Sequence, residues 1–553
     1  MMNKELVLHG GSAAAAQPDL ERRRDAVLDD AHRGDIRGAF GTVLQHDLAP
    51  RTTWRARLLT LLAIMGPGLI VMVGDNDAGG VATYAQAGQN FGTSLLWVLV
   101  LLIPVLIVNQ EMVVRLGLVT GVGHARLILE RFGKFWGAFS IVDLFILNFL
   151  TIVTEFIGVT LALGYFGISM YISVPLTAAL LIGSTVSGSF RSWERCMYLL
   201  IAANFIVIPL AFMVHPSIGQ IAHDTFVPGV HGGLTANAMM LIIAMVGTTV
   251  APWQLFFQQS NVIDKRLTPR WMNYERADTV IGSFVVMAGA AALIVTTAFA
   301  FRGTNQFGQF ANAGTTATAL LHAVSPMAGA MFALILLNAS LIGAAAVSLS
   351  TSYAFGDVFG MKHSLHRSWR DARGFYGLYS GLVMVAGAIV LIPHAPLGLI
   401  TVAVQALAGI LLPSATVFLL LLCNDKDVLG PWVNRAWINA VACTIIGILV
   451  MLSLILAAAT LFPNLDAGRV TVGLGTTLIV LLLAGGALML LRSDRSTRID
   501  RSDKSIWRMP PLHTLSRPVW SLGTKAGILM LQAYLGVAVL LLVVKVIQLA
   551  AGH

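Results

Sequence analysis

The chain has 553 residues, of which 56% are hydrophobic and only 11% charged, and its mean hydropathy is +0.78. Soluble domains carry about 25% charged residues, so a soluble protein is excluded. The net charge of +9 does not point to nucleic acid either, because Lys and Arg collect in alternate loops between apolar stretches, as a bilayer requires.

In chain order, residues 1 to about 55 are polar and rich in Ala, Gly and Arg. They lack the short apolar core and cleavage site of a signal peptide, and a partly disordered cytosolic tail is expected. About thirteen apolar stretches follow, each near the roughly 20 residues needed to span a bilayer. They centre near Leu69, Pro104, Thr151, Leu181, Val207, Thr249, Gly289, Ala339, Val385, Ala408, Val450, Val480 and Ala538. Arg55 and Arg57 precede the first; Arg126, Arg131 and Lys134 follow the second; Arg191 and Arg195 follow the fourth. Lys265, Arg266, Arg270 and Arg276 follow the sixth, Lys362 and Arg367 the eighth, and a basic run over 492–517 the twelfth. The segment 216–237 has neither Lys nor Arg. One orientation fits throughout: a multi-pass inner-membrane protein with a cytoplasmic N-terminus. Cys196, Cys423 and Cys443 are too scattered for a disulfide framework or a CxxC metal site.

Function is sought where polar or helix-breaking residues fall at membrane depth. The first span contains Gly74-Asp75-Asn76-Asp77-Ala78-Gly79-Gly80. A charge at the bilayer centre costs at least about 2.5 kcal/mol, so these carboxylates must face protein, water or a cation. The sixth span contains Thr248-Thr249-Val250-Ala251-Pro252-Trp253-Gln254, where proline frees a backbone carbonyl one turn earlier. A lone proline is ordinarily a tolerated kink; the Gly-Asp-Asn-Asp run is not an ordinary lipid-facing sequence. Breaks in the first helix of each of two five-helix sets mark an inverted-repeat transporter with its site between them. The apolar stretches hold Asp or Glu only up to the third: Asp75, Asp77, Glu111, Asp143 and Glu155. Glu111 is expected to pair with Arg115 one turn on, Asp143 to cap or pack, and the central Glu155 to serve the cation pathway.

Gly66-Pro67-Gly68, Asp77-Ala78-Gly79-Gly80, Gln86-Ala87-Gly88, Glu155-Phe156-Ile157-Gly158 and Asn424-Asp425-Lys426 together resemble the motifs of NRAMP divalent-metal transporters, over roughly 58–432. The resemblance implies an all-α LeuT-type fold of five plus five inverted helices, with about three additional C-terminal helices, and alternating access. The expected division is a tail over 1–55, a transporter core over 56–432 and extra helices over 433–553. The family's Asp-Pro-Gly-Asn and Met-Pro-His become Asp77-Ala78-Gly79-Gly80 and Ala251-Pro252-Trp253, its second sixth-helix histidine becomes Gln258, and an acid three positions before Glu155 becomes Ile152.

Losing the thioether removes the advantage of soft metals, and losing two ligand side chains enlarges the site, which suits a partly hydrated Mg²⁺. This resembles the magnesium-transporting branch of the family. The expected metal residues are Asp77 as charged ligand, carbonyls near Gly74 and Thr248, and, through water, Asn76, Gln254, Glu155 and Gln405; the carbonyls and Gln405 come from the resemblance. No cofactor is expected; Mg²⁺ or Mn²⁺ is substrate, and the bilayer the other partner. With every histidine in a tail, loop or span end, weak or absent proton coupling is expected. The alternatives are a proton-coupled Mn²⁺ or Fe²⁺ importer and an amino-acid carrier on the same fold. An enzyme is not expected: the chain has no His-Glu-x-x-His motif.

Overall fold

The computed structural model describes residues 30–47, 49–392, 397–461, 467–492, 504, 507–516, 518, 520 and 522–550. Residues 1–29, the first half of the expected tail, lie outside them. The second half is folded rather than loose. Strands β1 (Ile36–Gly38) and β2 (Gly41–Val43) pair antiparallel with Ile36 opposite Val43, and Ala39-Phe40 makes the turn. Ile36 and Val43 are buried, which fixes the face that the hairpin turns inward.

Helix α1 (Trp54–Ile64) is capped by Thr53, whose hydroxyl accepts from Ala56 N at 3.2 Å, and a 53° bend leads into α2 (Pro67–Gly74). Gly66, at φ +154°, makes that corner, and Pro67 starts the next helix where its missing N–H costs nothing. After Asp75–Asp77 the chain resumes as α3 (Ala78–Phe91). Then come α4 (Leu96–Thr120), α5 (His124–Phe132), α6 (Lys134–Tyr165), α7 (Met170–Val186), α8 (Phe190–Asn204), α9 (Val207–Met213) and α10 (Ile218–Phe226). The second set begins with α11 (Ala236–Thr249), broken at Val250-Ala251, and α12 (Pro252–Asp264). It continues through α13 (Met272–Phe301), α14 (Ala313–Ala323), α15 (Pro326–Phe359), α16 (Arg373–Val390) and α17 (Leu397–Cys423). The short α18 (Lys426–Leu429) precedes α19 (Ala436–Leu461), α20 (Ala467–Arg492) and α21 (Leu522–Ala550).

Each expected span centre falls on a helix. Among the described residues ten helices are long and apolar enough to cross a membrane, or up to eleven if the bent α1–α2 pair is one span, while α7 is a shorter apolar helix. The protein is a multi-pass, LeuT-type inverted repeat, with α2/α3 and α11/α12 as the broken first helices of its two halves. The α11/α12 span is 94% buried, so it sits inside the helix bundle, whereas the most apolar stretch of α20 has none of its residues buried and faces lipid.

Two apolar clusters form the core. One contains Ile70, Val73, Phe156, Trp253 and Ile342; the other contains Met72, Ala78, Val250 and Ala339. The broken segments lie on the seam between them. Beside that seam α11 and α17 cross backbone to backbone: a methyl at Gly247 would lie 2.3 Å from Gln405 O and 2.4 Å from Gly409 N. Helix α19 packs on α17, α11 and α4, and α21 on α17 and α19, with the Tyr534 hydroxyl donating to Ile410 O.

Candidate cation site

Asp77 is the N-cap of α3, and its Oδ1 accepts from Gly80 N at 2.7 Å. Glu155 of α6 reaches the same helix end, where its Oε2 accepts from Ala78 N at 3.1 Å. Two carboxylates therefore share the positive end of one helix. They fit because position 343 on α15 is glycine: a methyl there would sit 2.7 Å from Glu155 Oε2 and 2.8 Å from Asp77 Cβ.

Gly80 lets the two broken helices come together. A methyl on it would lie 2.6 Å from Asp75 O, 3.2 Å from Thr248 Oγ1 and 3.5 Å from Asp77 Oδ1, so oxygens from both broken helices crowd around a position that only glycine fits. Gln405 of α17 lies over Gly79, where a methyl would come within 1.6 Å of its Nε2. Among the described residues, Thr248 Oγ1, Gln405 Nε2, Glu155 Oε1 and both carboxylate oxygens of Asp75 are buried without a hydrogen-bond partner. Orphaned buried polar groups are costly; a cation among the oxygens would offset their share, whereas the Gln405 amide nitrogen is a donor and needs an acceptor such as water.

Gln254 faces Asp75, and its Oε1 accepts from Gln110 Nε2 at 3.1 Å. Gly74 lets Trp253 approach; a methyl there would be 3.2 Å from Trp253 Cη2. Trp253 thus packs across the break, held by a bond from Ser350 Oγ to its carbonyl at 3.0 Å. Asn76 points elsewhere: its Nδ2 donates to Val286 O of α13 at 3.1 Å, and it lines a cavity of ≈ 230 Å³ with Phe205, Phe284 and Gly289. Of the expected residues, the structure groups Asp77, Glu155, Thr248 and Gln405 around Gly79, Gly80 and Gly343, brings Gln254 and Gly74 to the rim, and turns Asn76 away. Asp75 joins the group although the sequence reading gave it no ligand role; its place two residues before Asp77 was the available signal.

Among the described residues no three His, Cys, Asp or Glu side chains converge as a metal chelate, so a cation here would need neutral oxygens beside the carboxylates. Glu111 pairs with Arg115 at 3.0 Å, as expected, and also with Arg276 at 2.5 Å. Asp143 accepts from Ser414 Oγ of α17 at 3.2 Å, a tie between helices away from the pocket. Further acids escaped the sequence reading. Glu194, Asp264, Glu275, Asp278 and Asp357 are all buried, at helix ends that the sequence pattern assigned to polar loops.

A family model described as Nramp, natural resistance-associated macrophage protein-like, matches residues 68–459. The chain belongs to the Nramp family. Nramp proteins are membrane transporters, and this one is a transporter rather than an enzyme. Among relatives similar to it, the divalent metal cation transporter MntH of Bacillus subtilis (strain 168) is 26% identical over 480 residues, 83% of this chain and 100% of that protein. MntH 1 of Pseudomonas aeruginosa is 28% identical over 418 residues, 71% of this chain and 90% of its own length. A crystal structure of the manganese transporter of Eremococcus coleocola superposes with a TM-score of 0.59 at 22% identity, covering 79% of this chain and 96% of that one. The Nramp match takes in both broken helices and ends inside α19.

Proposed function

We propose that this Nramp protein imports divalent cations across the inner membrane, with Mg²⁺ as the preferred ion and weak or no proton coupling. The names of the MntH relatives support divalent metal import. The choice of Mg²⁺ rests on the pocket's lining. Asp77, the Asp75 carbonyl and Thr248 offer hard oxygens around Gly80, while Ala251 stands where the family carries a thioether. Soft metals gain nothing from such a lining, and the loss of two ligand side chains, to Gly80 and Ala251, suits an ion that keeps part of its water. Asp77 supplies the charge, with carbonyls near Gly74 and Thr248 and, across water, Gln254, Glu155 and Gln405. Asn76, turned to α13, drops out of that set and Asp75 enters it. Glu155 and Asp75 are the acids beside Asp77, and Ile152 stands where the family carries a further acid before Glu155. The basic loops support a cytoplasmic N-terminus. A divalent ion entering an inside-negative cell then gains about 4.6 kcal/mol per 100 mV.

Purified protein in liposomes loaded with a cation indicator and a pH dye tests this. Mg²⁺ entry without acidification is the expected result. Entry of Mn²⁺ alone, with acidification, replaces it with a proton-coupled transition-metal importer, and no divalent entry at all leaves an organic substrate.

A further inference from the structure

The folded segment before α1 grips the face of the protein that carries the basic loops. Arg191 Nε and Arg195 Nε of α8 donate to Gly38 O and Ala39 O, each at 3.1 Å. Arg266 Nε, just past α12, donates to Ala31 O at 2.9 Å, and Arg270 Nη1 donates to Asp47 O at 2.5 Å. His32 lies 3.8 Å from Asp264 at the end of α12. Gly38 lies flush on α1, since a methyl there would be 2.0 Å from Ala63 O. Most of these contacts hold the segment's backbone, and the side chains of His32 and Thr42 add to them through Asp264 and Arg191.

Beneath the hairpin turn lies a charged knot that fixes the start of α2. Glu194 accepts from Ala39 N at 2.5 Å and pairs with Lys265 at 2.5 Å, both side chains fully buried. Lys265 Nζ also donates to Met65 O at 2.8 Å. Asp278 of α13 accepts from Gly66 N, Gly68 N and Leu69 N at 2.9, 2.7 and 3.1 Å. The half-helix leading to the cation pocket is thereby tied at its far end to α8, α12 and α13. A buried ion pair is costly to break, because water entry or loss of one partner leaves a desolvated charge uncompensated, and the hairpin turn provides part of the shield and one of the bonds to Glu194.

We propose that the segment from Asp30 to Asp47 is a latch: docked, it keeps α2 against α13 and the pocket closed to this face, and its release lets water into the Glu194–Lys265 pair and frees α2 to swing. The latch rests on the alternating-access reading above, not on which ion is carried.

The test uses the full chain with Cys196, Cys423 and Cys443 replaced by serine and one reporter, Thr279→Cys, which lies under α2 where a methyl on Gly68 would meet Thr279 N at 2.7 Å. Its reaction rate with a charged maleimide is measured in liposomes permeable to the reagent. Gly38→Val wedges the hairpin off α1, and Arg191→Ala with Arg195→Ala removes two of its grips. Either change is expected to speed labelling by about tenfold or more, while Ala333→Cys, buried in the other apolar cluster, stays unreactive. Unchanged labelling of Thr279→Cys in either folded variant overturns the latch, as does equal labelling of both reporters, which marks general loosening. Faster labelling in a protein that moves no divalent cation leaves the latch standing and removes the ion assignment instead.

Discussion

Replacing Gly80 with alanine probes the pocket with one methyl group. In the native geometry that methyl would sit 2.6 Å from Asp75 O, whereas real Cβ atoms essentially never come within 3.0 Å of a neighbour, so the carbonyl must retreat by about 0.4 Å or more. Overpacking of this kind costs about 1–3 kcal/mol. Because the displaced oxygen and the methyl itself both occupy the place where Asp75, Asp77 and Thr248 converge, most of that cost falls on the cation-bound state. At a factor of ten per 1.4 kcal/mol, KM for Mg²⁺ rises by about 5- to 150-fold. Initial rates of Mg²⁺ entry into liposomes over a concentration series measure it, with thermal unfolding as the control for folding. A KM equal to that of the unaltered protein, in a variant with an unshifted melting temperature, refutes the pocket at Gly80.

Ala251→Met restores the family's thioether, so Mn²⁺ and Cd²⁺ should compete better against Mg²⁺ uptake; unchanged competition detaches Ala251 from selectivity. Asp278→Ala strands three buried N–H groups at the start of α2 and should cost about 3–5 kcal/mol of stability, read as a large fall in melting temperature in detergent; a loss below about 1 kcal/mol contradicts the clamp. His363, in the loop between α15 and α16, has a pKa that burial lowers, but the Asp357 carboxylate 3.1 Å away outweighs burial and holds it above the usual histidine value. Its contribution is therefore complete below about pH 6.5 and is lost as pH rises through the raised value. The melting-temperature gap between the native protein and His363→Gln should narrow as pH is raised, and a gap that widens reverses the assignment.

The two breaks were legible because Gly74-Asp75-Asn76-Asp77 and Ala251-Pro252 offend against lipid in ways that residue type alone reveals. Glu155 was legible for the same reason. Which side chains of the break face the pocket was not, since helical phase is lost where a helix unwinds: Asn76 and Asp75 are adjacent, yet one turns to α13 and the other to the seam. The hairpin was hidden because Ile36-Arg37-Gly38 and Gly41-Thr42-Val43 are too short to stand out from a polar tail, and their order comes from arginines 150 residues or more away in sequence. Glu194, Glu275 and Asp278 were hidden by their setting among basic residues, where hydropathy suggests water and the fold supplies helix ends packed on one another.

The bare crossing of α11 and α17 has a mechanical meaning. At Gly247 the two helix backbones touch directly, and Ile243 and Ala406 pack tightly beside the crossing, which leaves little room for the helices to slip. Thr248 and Gln405, next to that contact, ride on what amounts to a single welded beam. Spin labels placed across this contact should keep one separation in both access states, so that the proposed ligands Thr248 and Gln405 would move as one unit.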